Sequence, residues 1–134
     1  MTEIKVCIVA IGTGLTAILG GWDTLLYAII SLIIIDYITG FLAAAYNQQL
    51  NSFKGYRGII KKVLILIAIA MATTLDSAFN LADPWIRTAF IYFFIANEGL
   101  SIIENLSATG IPIPQVVKDL LEQTKNKEGG IIGK

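Results

Sequence analysis

The chain has 134 residues, of which 55% are hydrophobic and 15% are charged, and its mean hydropathy is +0.71. This composition is too apolar for an ordinary soluble domain and indicates an integral membrane protein. Lys and Arg number 10 and Asp and Glu also 10, so net charge does not favour nucleic-acid binding, and with 0 His and 1 Cys no catalytic, cofactor-binding or metal-binding residue is predicted.

Four apolar segments follow one another along the chain, each long enough to cross a hydrocarbon core roughly 30 Å thick. They cover approximately residues 4–21, 24–46, 60–81 and 85–106. Glycines lower the helix propensity of the first segment, so a re-entrant or interfacial helix is the alternative there. The predicted fold class is therefore all-α, a polytopic membrane protein with four transmembrane helices, or three if the first segment does not cross. Residues 1–110 form this transmembrane domain.

Basic residues predict the orientation, because short cytoplasmic loops are enriched in Lys and Arg. Lys54 and Arg57 lie in the loop before the third span, and Lys61 and Lys62 lie at the start of that span. All four are predicted to be cytoplasmic anchors that touch anionic lipid. Further lysines after the fourth span place the C-terminus on the same side. An even number of crossings then places the N-terminus in the cytoplasm as well.

A helix break follows the fourth span. Gly110, Pro112 and Pro114 lie close together there, and proline both lacks an amide donor and disfavours helix before it. From Pro114 to Lys127 apolar residues recur at helical spacing among charged ones, which predicts a short amphipathic cytoplasmic helix. Residues 128–134 are predicted to be a loose tail. Together, residues 111–134 form a second, cytoplasmic region.

One side of the second span carries an acid and small residues. Asp36, Gly40 and Ala44 lie on the same side of that helix. A carboxylate at the centre of a membrane helix costs about 2.5–3.5 kcal/mol on insertion, so it needs a partner. Two interpretations are open: an intramolecular packing face on which Asp36 bonds a neighbouring helix, or a pore-lining or subunit contact face.

A polar arc runs along the fourth span. Asn97, Glu98, Ser101 and Asn105 lie within roughly 120° of an otherwise apolar helix. Such a face should point into a helix bundle or a wet lumen, where its groups can pair. These residues are therefore predicted, with Asp36, Gly40 and Ala44, to face the assembly or the lumen.

Three stretches of the chain resemble the phage-lysis and toxin-secretion holin family, in an order and spacing that cover roughly residues 25 to 125. They are Asp36–Gly40 with Ala43–Ala45, Ser52–Lys62, and Asn97–Asn105 leading to Gly110–Pro114. The resemblance implies a homo-oligomer that accumulates in the bacterial cytoplasmic membrane and then forms lesions or pores. Through these an endolysin, or another cytoplasmic protein such as a toxin, would leave the cell.

Two other classes of function are open. In a small ion or solute transporter, Asp36 and Glu98 would form a coupled proton or cation site near the midplane. In a membrane scaffold, the C-terminal helix would bind partners and no hole would form. Abrupt killing after a delay is expected of a holin alone.

Overall fold

The fold is a bundle of helices in a computed structural model that describes residues 1–132. No strand occurs within these residues, which confirms the predicted all-α class. The connections between the helices are short. The helices are α1 (Thr2–Ile18), α2 (Thr24–Tyr46), α3 (Ser52–Ala78), α4 (Trp85–Ser107) and α5 (Gln115–Ile132).

Three of these helices are long and apolar enough to cross a membrane, namely α2, α3 and α4, with 23, 27 and 23 residues. The chain is therefore a membrane protein with three candidate spans among the described residues. The predicted first span forms α1, a helix of 17 residues that has no buried residue and packs against α3. Helix α1 is not among the helices that are long and apolar enough to cross a membrane.

Polar side chains cap the first turns of α2 and α3. The carboxylate of Asp23 accepts from the backbone N–H of Leu26 at 2.8 Å, and this begins α2. The carboxamide of Asn51 accepts from the N–H groups of Phe53 and Lys54, and this begins α3. Helix α3 therefore starts eight residues before the predicted third span, and the basic stretch expected to be a loop is helical.

The apolar core lies between α2, α3 and α4. Leu26 and Ile29 of α2 are fully buried against Ile69 of α3 and Ile91 of α4. Most other large apolar side chains point outward, as expected for helices whose surroundings are lipid. Helix α4 packs against α2, α3 and α5, and its contact with α2 is the most extensive in the bundle. The bundle is therefore centred on α4.

Helix α5 folds back along α4 and extends farther than the sequence indicated. The amphipathic helix was predicted to end at Lys127, but α5 includes Glu128, Gly129 and Gly130. The prediction of a loose tail is wrong for residues 128–132, which all belong to α5, since tertiary packing outweighs the low helix propensity of glycine. Gly133 and Lys134, the end of the predicted tail, lie outside the described residues.

Candidate functional site

Each of the three spans contributes one ionisable side chain to a charged cluster, defined here as Asp36, Lys62 and Glu98. The ammonium group of Lys62 donates to Asp36 Oδ2 and to Glu98 Oε2. The two acids are 6% and 2% exposed, and the Lys62 side chain is 17% exposed. Lys62 therefore joins α3 to both α2 and α4. Its bonds are charge-assisted hydrogen bonds, which are stronger than neutral ones.

The three groups meet at one depth in the bundle. Residues 47–51 and 108–114 connect helices at one end, called here the Asn47 end. The carboxamide of Asn47 donates to the carbonyl of Ala108 at 3.2 Å and joins these two connections. Asp36, Lys62 and Glu98 each lie about ten residues from this end, roughly 15 Å at 1.5 Å per residue. The cluster is therefore in the middle part of each span, where unpaired charges would be costly.

Asn105 completes the hydrogen bonding of Asp36. Its Nδ2 donates to Asp36 Oδ1 at 2.9 Å and to Thr39 Oγ1 at 3.0 Å. This contact needs a close approach of α2 and α4, which a small residue permits: a Cβ atom on Gly40 would lie 3.5 Å from that nitrogen. No buried side-chain nitrogen or oxygen within residues 1–132 lacks a partner. The buried polar side chains of the spans are thus satisfied within one chain.

A cavity of about 300 Å³ opens beside Asp36 toward the Asn47 end. Five of the seven residues predicted to face the assembly or lumen line it, and Lys54 joins them. The five are Asp36, Gly40, Ala44, Ser101 and Asn105.

A second, more polar groove of about 700 Å³ separates α4 from α5. Asn97, Ser101 and Glu104 line its α4 side, and Lys118, Glu122 and Lys125 are among the α5 residues that line the other. The predicted polar arc of α4 is thus divided. Glu98 and Asn105 point to the charged cluster, Asn97 lines the groove toward α5, and Ser101 lines both this groove and the cavity beside Asp36.

A different network joins the helices at the opposite end of the bundle. The Arg87 guanidinium, at a residue that is 2% exposed, donates to Asp23 Oδ2 at 2.7 Å and to the carbonyls of Leu19 and Gly21. This bond to Arg87 holds the pKa of Asp23 below its ordinary value of 3.8. Asp76 accepts from the backbone N–H of Arg87 at 2.9 Å and so caps α4.

The predicted anchors separate into two groups. Lys54, Arg57 and Lys61 are exposed on the first turns of α3, and the Arg57 guanidinium lies 5.9 Å from the ring centroid of Phe53. Lys62 does not share this position, because its ammonium group points into the charged cluster. Two buried acids at one depth require a cation, and this requirement was the signal that could have identified Lys62.

Sequence reasoning also missed the role of Arg87, because its partner Asp23 lies 64 residues earlier in the chain. Gly110, Pro112 and Pro114, the predicted helix break, lie in the connection between α4 and α5. Within residues 1–132 no group of acidic or cysteine side chains could hold a metal ion.

Comparison with known proteins identifies the family to which the chain is similar. Residues 13–126 match the model of the bacteriophage holin family. An uncharacterized 14.9 kDa protein from the nagH 3′ region of Clostridium perfringens is 42% identical over 93% of this chain and 95% of its own length. An uncharacterized protein of Listeria innocua, Lin0175, is 36% identical over 88% of this chain and 84% of that protein.

A relative from a phage has a functional name. A probable holin of Bacillus phage phi105 is 39% identical over 66% of this chain and 64% of its own. No solved structure matches the chain. The resemblance seen in the sequence is confirmed: the chain belongs to the bacteriophage holin family, whose members are membrane lysis proteins and not enzymes.

Proposed function

We propose that this protein is a holin that oligomerises in the bacterial cytoplasmic membrane and forms lesions or pores. Endolysin, or another cytoplasmic protein, would leave the cell through them during host lysis. Endolysin is then a functional partner that need not bind the chain, and membrane lipid is the surrounding partner. Family membership supports the lytic role.

The charged cluster is the observation that carries the proposal. A chain whose buried polar side chains are paired internally can accumulate in the membrane without harm. The same side chains can exchange partners when copies associate, because polar side chains also form hydrogen bonds between membrane helices of different chains. We assign Asp36, Glu98 and Asn105 to this exchange. Gly40, Ala44 and Ser101 line the cavity beside them and belong to the same surface.

The topology is part of the proposal. We place the Asn47 end in the cytoplasm, because Lys54 and Arg57 are exposed there and suit an anionic lipid surface, and the long side chain of the exposed Lys61 can extend toward the same surface. With α1 as a fourth crossing, the N-terminus is cytoplasmic too. Residues 1–110 then form the transmembrane region, and residues 111–134 form a cytoplasmic region with an amphipathic helix.

Induced expression in bacteria, with and without a cytoplasmic endolysin, tests the function. We expect a lag followed by an abrupt, endolysin-dependent fall in culture turbidity, together with release of a folded cytoplasmic reporter enzyme. Lys62→Met should change the timing, whereas Lys61→Met, its exposed neighbour, should not. Growth without lysis would contradict the proposal.

The buried cluster also supports a second candidate, a small ion or solute transporter. Asp36 and Glu98 share a single ammonium group, and a cavity of about 300 Å³ lies beside Asp36. Such a site resembles the intramembrane ion sites of transporters. Reconstituted vesicles distinguish the two functions: a transporter moves ions with a gradient and retains an enclosed protein, whereas a holin releases that protein.

A further inference from the structure

The charged cluster borders a polar cavity on one side. The cavity of about 300 Å³ begins at Asp36 and Asn105. It ends among Gln49, Asn51 and Lys54, which are exposed at the Asn47 end. Several water molecules fit in such a volume, and the carboxylate, amide and ammonium groups along it supply the polar partners that each one needs. The cavity can therefore connect Asp36 to the water at that end of the bundle.

The opposite side of the cluster is apolar. Ile29, Ile69 and Ile91 are fully buried, and each lies seven residues from the cluster member of its own helix, in the direction away from the Asn47 end. Seven residues are about two helical turns, roughly 10 Å. Partly buried apolar side chains lie between this isoleucine layer and the cluster, namely Ile33, Ile65, Phe94 and Ile95. Since no water reaches the isoleucine layer, the cluster is sealed toward the other end of the bundle.

The cluster carries one negative charge in excess when both of its acids are ionised. Asp36 and Glu98 share the single ammonium group of Lys62. Lys54 lines the cavity and Lys61 lines a depression of about 310 Å³ beside Glu98, but neither forms an ion pair within residues 1–132. The other titratable groups that face these spaces are Tyr37 in the cavity and, across the α4–α5 groove, Lys118, Glu122 and Lys125. Excess charge at membrane depth is costly, so the cluster favours a positively charged ligand.

A proton suits the cluster better than a metal ion does. Asp36 Oδ2 accepts from Lys62 and Asp36 Oδ1 accepts from Asn105, so both oxygens already have partners. A metal ion would need several free oxygen ligands at one place. A proton needs one oxygen and removes the excess charge.

We propose that the cavity is a water-filled passage open to the cytoplasm alone, through which Asp36 takes up a proton. A hydronium ion in the cavity gives its proton to the carboxylate and leaves as water. Lys62 then loses its anionic partner on α2 and keeps Glu98, so the bond between α2 and α3 weakens as the cytoplasm becomes more acidic. The cytoplasmic placement of the Asn47 end is part of the proposed function, on which this inference rests.

Single cysteines test which face of the membrane the passage opens to. Cys7→Ser removes the exposed thiol of α1, and Gly40→Cys or Ala44→Cys then places a thiol in the cavity. Leu42→Cys is the control, because Leu42 is 57% exposed on the same helix and lies about 200° around it from Gly40. Leu42 is also nearer the Asn47 end than Gly40, so depth alone would favour its reaction. A membrane-impermeant thiol reagent is added to the outer face of spheroplasts or to the cytoplasmic face of inverted vesicles.

We expect both cavity thiols to react from the cytoplasmic face, roughly tenfold faster than Leu42→Cys, because the reactive thiolate is disfavoured in apolar surroundings. We expect no reaction from the outer face. Equal rates in the cavity and at Leu42 overturn the passage, and reaction from the outer face overturns access from the cytoplasm alone. The lysis assay is separate: one-sided reactivity in a chain that does not lyse cells would contradict the holin function and leave the passage intact.

Infrared difference spectra of vesicles that contain the full chain test the proton. Buffers that do not cross the membrane lower the pH at one face at a time. The parent is compared with a neutral variant that combines Asp36→Asn, Lys62→Met and Glu98→Gln, and with Glu104→Gln, which replaces an exposed acid. We expect acidification of the cytoplasmic face to produce a protonated-carboxyl band that the neutral variant lacks and the Glu104 variant keeps.

Two results would overturn proton uptake from the cytoplasm. One is an identical spectrum of the parent and the neutral variant, and the other is the same band on acidification of the outer face alone. Exchange of sodium for potassium at constant pH should leave the band unchanged. A band that follows the metal ion instead of the pH would overturn the assignment of a proton as the ligand.

Discussion

Lys62 of α3 and Glu98 of α4 form an ion pair inside the helix bundle, and Asp36 of α2 accepts from the same ammonium group. One cation thus serves two anions on two helices. Removal of Lys62 would leave both carboxylates without a counter-charge, which is more costly than the loss of a surface ion pair. The stability of the bundle therefore depends more on Lys62 than on either Asp36 or Glu98.

We expect Lys62→Met to lower the free energy of unfolding by roughly 3–5 kcal/mol, because a broken buried pair leaves uncompensated charge. Lys61→Met should have little effect, since Lys61 is exposed and forms no ion pair among the described residues. Thermal unfolding in detergent measures both. Adding Asp36→Asn and Glu98→Gln to Lys62→Met should recover much of the loss. Equal unfolding of the two lysine variants would show that the cluster does not hold the spans.

The turn between α1 and α2 permits a comparison of two adjacent glycines. Gly20 and Gly21 have φ values of +93° and +94°, so alanine at either is strained by roughly 1–3 kcal/mol. A Cβ atom on Gly20 would also clash with the Arg87 side chain, whereas a Cβ atom on Gly21 would meet nothing within 4 Å. We expect Gly20→Ala to unfold at a lower temperature than Gly21→Ala. Equal unfolding temperatures of the two variants would contradict the close contact between Gly20 and the Arg87 side chain.

The cap at the start of α4 predicts that replacing Asp76 lowers the stability of the fold and that replacing Asp83 has little effect. Asp76 is buried and accepts from the N–H groups of Ile86 at 3.0 Å and Arg87 at 2.9 Å. Asp76→Ala leaves both donors unpaired, so we expect a loss of about 1–3 kcal/mol in unfolding free energy. Asp83→Ala is the control, because Asp83 is exposed. Hydrogen exchange of the first turn of α4 should rise in the Asp76 variant only.

Stability should depend on pH through Asp23. The bond from Arg87 lowers the pKa of Asp23 from 3.8 in the folded chain, so the unfolded chain binds the proton more readily. The stabilisation is therefore complete well above pH 3.8 and is lost as pH falls below that value through the folded pKa. We expect Asp23→Asn to unfold at a lower temperature than the parent near neutral pH, with the gap closing on acidification. A gap that does not change with pH would contradict the ion pair.

The apolar spans could be predicted closely from the sequence, but their pairing could not. The predicted segment 24–46 coincides with α2, because a long apolar run follows the capping residue Asp23. Helix α3 begins earlier than predicted, at Ser52, since the polar and charged residues of its first turns lower the hydropathy without ending the helix. The cap by Asn51 was the local signal for this start.

The charged cluster needed three-dimensional information. Sequence periodicity shows that Asp36 and Glu98 require partners, but it does not give the relative heights and rotations of three helices. Lys62 looked like an anchor because Lys61 precedes it, although neighbouring residues on a helix point about 100° apart. The contact of α5 with α4 was equally hidden, because the residues of α5 that pack on α4 are mainly polar.

The order of synthesis makes the charged cluster a constraint on membrane insertion. The ribosome completes Asp36 first, then Lys62 after 26 more residues, and Glu98 after a further 36. Until Lys62 reaches the translocon, α2 carries an insertion cost of about 2.5–3.5 kcal/mol. Because the turn of residues 47–51 is short, α2 and α3 can enter the bilayer together as a hairpin that already contains one ion pair. A nascent chain that ends before Lys62 should therefore insert less completely than one that includes it.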